Sequence, residues 1–112
     1  MTEPTIMRGD IWLVSLDPTQ GSEIKKTRPC VVLTHNAINR LRRTVVVVPL
    51  STAAKSHPPI TVPVSCQGGS AVAVVDQIRA VSKHRLKKKI ESLSPKELDE
   101  ICQAVTTILE IR

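Results

Sequence analysis

Thr44-Val45-Val46-Val47-Val48-Pro49-Leu50, followed at once by Ser51-Thr52, is the stretch on which the fold turns. Four successive valines do not alternate with polar residues, so the run reads as a strand buried on both faces, at the centre of a sheet. Shorter β-branched runs surround it at 11–16, 30–34, 60–64 and 71–78. Pro63 marks the run 60–64 as an edge strand, because proline has no N–H to give to a ladder. The connections at 17–27, 51–59 and 65–70 are polar or carry Pro and Gly. That spacing predicts a small antiparallel barrel or sandwich and not alternating βα units.

Two helices join this mainly β pattern. Ser94-Pro95-Lys96-Glu97 is a capping box with proline at the first helical position, and Leu98, Ile101, Cys102, Val105, Ile108 and Leu109 follow at helical spacing. A C-terminal helix should therefore lay one face on the barrel. The stretch 36–43 starts on Asn36 and ends on basic residues, enough for about two helical turns.

At 112 residues the chain suits one domain with a single modest core, expected over 7–112 behind a frayed 1–6. Sixteen Lys and Arg against 10 Asp and Glu give a formal charge of +6. An anionic partner follows, a nucleic acid or a strongly acidic protein. The longest apolar run is far too short to cross a bilayer and no secretory leader is visible, so a soluble cytoplasmic protein without a membrane partner is expected. Cys30, Cys66 and Cys102 are odd in number and widely spaced, and His35, His57 and His84 are scattered, so neither a disulfide framework, a metal site nor any cofactor is expected. Trp12 is the only aromatic residue. Recognition of a nucleic acid must then rest on charge and hydrogen bonds, because stacking platforms are missing.

Candidates for chemistry gather in three places. In Lys25-Lys26-Thr27-Arg28-Pro29 the proline restricts Arg28 to extended backbone, which predicts a rigid corner presenting a guanidinium at the mouth of a strand. That fork matches phosphate oxygens, Glu23 stands near enough in sequence to orient it or accept a proton, and Lys25 and Lys26 supply charge for an RNA strand. Ser51 and Thr52 leave the central strand directly, so at least one hydroxyl should emerge at the rim. Asp76 and Gln77 close the run that starts at Ala71, with Arg79 beyond. Arginine, hydroxyl and carboxylate can divide the tasks of cleaving RNA without a metal. Phosphate-loop, dinucleotide, zinc-protease and serine-hydrolase signatures are all missing.

Taken in order, Arg8-Gly9-Asp10-Ile11-Trp12, Gly21-Ser22-Glu23, Arg28-Pro29, the valine strand with Ser51-Thr52, and Asp76-Gln77-Ile78-Arg79 resemble the MazF/PemK family of toxin endoribonucleases over almost the whole chain after Met7. The resemblance implies a small SH3-like antiparallel barrel with a C-terminal helix. It also implies a homodimer that cuts single-stranded RNA to 2′,3′-cyclic phosphate and 5′-hydroxyl ends, opposed by a small acidic antitoxin. Arg28 takes the family's arginine role. Counting from Arg28 puts Ser51 at the threonine position, with Thr52 one residue away; Asp76 and Glu23 both stay open as the base, since Val74 occupies the place where some relatives carry a helping arginine. Gln77 and Arg79 match positions near bound RNA. The alternatives are a gyrase-binding toxin similar to CcdB and a basic RNA-binding barrel without catalysis.

Overall fold

The computed structural model describes residues 5–16, 21 and 26–111, and within them seven strands and two α-helices follow the chain. They are β1 (Asp10–Ser15), β2 (Thr27–Val32), α1 (Asn36–Leu41), β3 (Thr44–Ser51), β4 (Thr61–Cys66), β5 (Gly69–Val74), β6 (Arg79–Ser82), β7 (Leu86–Ser92) and α2 (Pro95–Ile108), with single 3-10 turns at Val75–Gln77 and Lys83–Arg85. The valine strand is central. β3 pairs antiparallel with β2 and with β6 along most of its length, and then Leu50 and Ser51 leave to pair with β5. Pro49, which has no N–H to donate, sits where the strand passes from one set of partners to the other. The result is one curled antiparallel sheet in the order β4-β5-β3-β2-β1-β7, with β6 on the second side of β3.

Because strand residues alternate between faces, the curl makes two apolar clusters. Trp12, Val14, Leu16, Cys30, Val32, Val45, Val47, Val81 and Leu86 fill one. Ile11, Val31, Val48 and Leu50 turn the other way onto β4, β5 and the α2 residues Ile101 and Ala104. β3 thus feeds both cores, as its unalternating valines predict.

α2 forms as its capping box specifies. Ser94 Oγ accepts from Glu97 N at 3.2 Å and donates to Glu97 Oε1 at 2.9 Å, with Pro95 in the first turn. Glu97 also reaches across to β4, where its Oε2 accepts from Ser65 N at 2.7 Å, while Glu91 Oε2 accepts from Gln67 N at 2.6 Å in the β4–β5 turn. β4 is the outer strand that Pro63 predicts. Gly9, at φ +91°, packs where an added Cβ would come within 3.2 Å of the end of the Leu98 side chain, so any other residue there would strain the backbone and press on α2. Next to it the buried Asp10 carboxylate accepts from Met7 N at 2.9 Å and lies 3.4 Å from Lys89 Nζ.

Three expectations are corrected. Arg28 and Pro29 do not form a corner: both lie inside β2, opposite Val14 and Leu13 of β1, and the missing proline N–H is tolerated because β3 pairing begins only at Cys30. The run 71–78 is not one strand, since the chain tightens into a 3-10 turn at Val75 that carries Asp76 and Gln77. The cap of α1 is His35, whose Nδ1 accepts from Ala37 N at 3.0 Å, and Asn36 Oδ1 instead accepts from Arg8 N at 2.7 Å. The basic run 83–89 passes from a 3-10 turn into β7, and Lys87, Lys88 and Lys89 there are exposed. All three cysteines are free thiols. Residues 1–4 of the segment expected to fray lie outside the described residues, and Ile6 packs against the barrel cluster.

Candidate functional site

Arg28, Ser51 and Arg79 come from three strands and reach one rim of the barrel. β2–β3 pairing ends with Cys30 opposite Pro49, and β3–β6 pairing ends with Val47 opposite Arg79. Arg28 and Ser51 are each two residues beyond the last β2–β3 pair. Alternation puts Arg28 on the face of Cys30 and Val32, Ser51 on the face of Val45 and Val47, and Arg79 on the face of Val81, all belonging to the same cluster. The three side chains therefore crown one end of that cluster.

Their environments differ. Arg28 is exposed, and its guanidinium enters no hydrogen bond or ion pair among the described residues. Arg79 is half-buried, points Nη1 toward the Leu16 carbonyl at a long 3.5 Å, and lies close enough to Cys30 for its charge to act on the thiol. Burial nevertheless dominates at Cys30 and pushes the thiol up to about 12, so it stays neutral and is no nucleophile. Ser51 Oγ accepts from Ala53 N at 3.1 Å and Ala54 N at 3.0 Å. Both acceptor directions are used, which fixes the oxygen and leaves its proton as the group to offer a substrate. Thr52, one residue on, is fully on the surface, and no such bond holds its hydroxyl among the described residues.

Asp76 and Gln77 sit in the 3-10 turn between β5 and β6, directly before Arg79; Asp76 is exposed and Gln77 half-buried. The turn is pinned by Val75 N donating to the Ile60 carbonyl at 2.8 Å. Lys26 closes the β1–β2 connection, its carbonyl accepting from Leu16 N at 2.9 Å with φ at +68°. Glu23 and Lys25 lie outside the described residues. No group of three or more His, Cys, Asp or Glu could hold a metal ion among the described residues. The rim can thus meet an anion with two guanidiniums and a hydroxyl proton. Sequence reasoning gives Arg79 only a backbone-holding role, and its position next to Cys30 can be found only from the β3–β6 register.

The described residues thus form a small curled β-sheet protein whose strand ends assemble arginines and a hydroxyl at one rim. A family model described as PemK-like, MazF-like toxin of type II toxin-antitoxin system matches residues 7–109. Endoribonuclease PemK of Escherichia coli is 37% identical over 107 residues, spanning 91% of this chain and 80% of that protein. Endoribonuclease MazF9 of Mycobacterium tuberculosis is 36% identical over an alignment of 113, spanning 93% and 96%. In structure, MazF from Deinococcus radiodurans superposes with a TM-score of 0.88 at 22% identity, covering 97% of this chain and all 100% of that one. A MazE-MazF complex from the same organism includes a chain similar at a TM-score of 0.80 and 18% identity, covering 98% and 100%. The chain belongs to the PemK-like, MazF-like toxin family of type II toxin-antitoxin systems.

Proposed function

We propose that this chain is the toxin of its pair, a sequence-specific endoribonuclease that cuts single-stranded RNA, mRNA included, without a metal and so arrests translation and growth. The convergence of Arg28, Ser51 and Arg79 on one rim carries this reading. The 2′-oxygen attacks the adjacent phosphorus, the bond to the 5′-oxygen breaks, and the products are a 2′,3′-cyclic phosphate and a 5′-hydroxyl. Negative charge grows on the non-bridging oxygens as this happens. Arg28 and Arg79 stabilise it through forked hydrogen bonds, and Ser51 adds a third donor whose oxygen is already held in place. A base must take the 2′ proton, and the departing 5′-oxygen takes a proton from water to become the 5′-hydroxyl. Asp76 is the described carboxylate beside the rim, and Glu23 is its rival from the preceding loop. Lys25, Lys26 and Gln77 hold the strand on either side.

The names of the relatives support cleavage and not gyrase trapping. By kinship with MazE-MazF complexes the partner is an acidic antitoxin, which the net positive charge suits, and the working assembly is a homodimer in the cytoplasm. No described helix is long and apolar enough to cross a membrane. The test is incubation of the purified protein with end-labelled single-stranded RNA in excess EDTA, followed by mapping of the ends. Cyclic phosphate products at unchanged rate are expected. Activity that disappears on chelation and returns with a divalent ion would overturn the mechanism, and intact RNA under all conditions would overturn the enzyme.

A further inference from the structure

The end of the barrel opposite the cleavage rim opens into a groove of about 840 Å3. β3 begins beside it, after Arg43, and ends at Ser51; β6 runs from Arg79 at the rim to Ser82 in the groove wall. The floor is apolar, made by Ile6, Trp12 and Leu86. Above it Arg40, Arg42 and Arg43, at the end of α1, face Lys83 and His84 of the second 3-10 turn, and among the described residues no lining residue is acidic. Asn39 also borders the groove. It is buried, its Nδ2 donates to the Thr34 carbonyl at 2.8 Å, and its Oδ1 finds no donor among the described residues.

We propose that this groove is a second RNA subsite, holding a nucleotide remote from the scissile bond with its phosphates on Arg42 and Arg43 and its base on the apolar floor. The proposal rests on the ribonuclease reading above. Guanidiniums without a carboxylate among them match a polyanion, and the apolar floor matches a base face, whereas a lone phosphate would leave the floor unused. β3 sets the spacing: seven steps of ~3.3 Å put the two sites about 23 Å apart along the strand, so only a strand of several nucleotides reaches both.

Trp12 makes the test direct, because it is the one tryptophan, the chain has no tyrosine, and it lies in the groove floor and not at the rim. Oligonucleotides with a 2′-deoxy cut site, of about four and about sixteen nucleotides, bracket the span of strand sites on small barrels. The long one should change Trp12 emission and bind roughly tenfold more tightly than the short one, which should leave emission unchanged. In the double variant R42A/R43A that length advantage should vanish, and the salt slope should fall by about 0.7 for each phosphate no longer neutralised. Cleavage of a short substrate should be untouched, and R42K/R43K should keep part of the advantage. Unchanged emission with the long strand would overturn the proposal, as would an equal loss on short and long strands. So would nucleoside monophosphates that match the long strand in affinity and emission change, since they would make the site one for free nucleotides. Cleavage of the short substrate by the unaltered protein tests the enzyme reading separately.

Discussion

Arg28 and Ser51 stand at matching distances past the last β2–β3 pair, each two residues beyond Cys30 opposite Pro49, and each on the face of the same apolar cluster. A pair held this way by backbone register does not depend on loops to bring it together. Arg28→Ala should therefore lower the cleavage rate about 10²-fold or more, the size of losing one transition-state donor, while RNA affinity changes far less. Single-turnover kinetics with thermal unfolding in parallel checks this, and an unchanged rate would remove Arg28 from the chemistry.

The two hydroxyls separate by how they are held. Ser51 Oγ is fixed by two backbone N–H groups and Thr52 is not, so Ser51→Ala should cost the larger share of rate and Thr52→Ala little. Ser51→Ala also leaves two turn donors to water, at about 1 kcal/mol of stability. Ser51→Thr, which keeps an acceptor and a proton, should recover part of both. If Thr52→Ala alone abolishes cleavage, the hydroxyl assignment is wrong by one residue.

Glu97 ties α2 to β4 and gives the fold a pH dependence. Its burial raises the carboxyl pKa, the largest single effect, but the hydrogen bonds from Ser65 N and Ser94 with the Lys96 charge outweigh it, and the group ends below its ordinary value. A depressed folded pKa means stability that is present above the unfolded value and lost as pH falls through the folded one. Glu97→Ala should thus be destabilised by about 1 kcal/mol near neutrality, where cap and cross-link both act, and should converge on the unaltered protein in acid. Denaturant melts at the two pH values decide it, and a constant difference would exclude titration of Glu97 as the cause.

Asp10 anchors the N-terminal segment to β7. Its carboxylate receives Met7 N, lies within 3.3 Å of Ser92 Oγ and of Trp12 Nε1, and pairs with Lys89. Asp10→Ala strands the Met7, Ser92 and Trp12 donors, while the exposed Lys89 ammonium passes to water, and should cost about 2 kcal/mol. Urea unfolding followed by Trp12 emission measures it. A loss under about 1 kcal/mol would mean that the network is relieved by water.

Much of this is legible in the sequence because strong local signals agree. The valine run, Pro63 at an edge and the Ser94 to Glu97 box each name a backbone state with a physical cause, and each holds in the fold. β7 is not legible for an equally physical reason. Its pairing with β1 shifts register between Ile11 and Trp12 and again between Leu13 and Val14, so Lys87, Lys88 and Lys89 are all exposed and the alternation that betrays a strand is erased. Arg28 stands out through its proline neighbour, yet the geometry differs: a strand end holds it, not a corner. Arg79 gives no local sign, since only long-range pairing with Val47 brings it to the rim.

The outer flank of β4 has no backbone donor left to give. Thr61 N is taken by the His57 carbonyl, position 63 is proline, and Ser65 N and Gln67 N are spent on Glu97 and Glu91. An extended segment arriving there meets carbonyls without the alternating N–H groups that a growing ladder requires. This flank thereby refuses strand addition, and an extended segment that reaches it is diverted to surfaces that read its side chains.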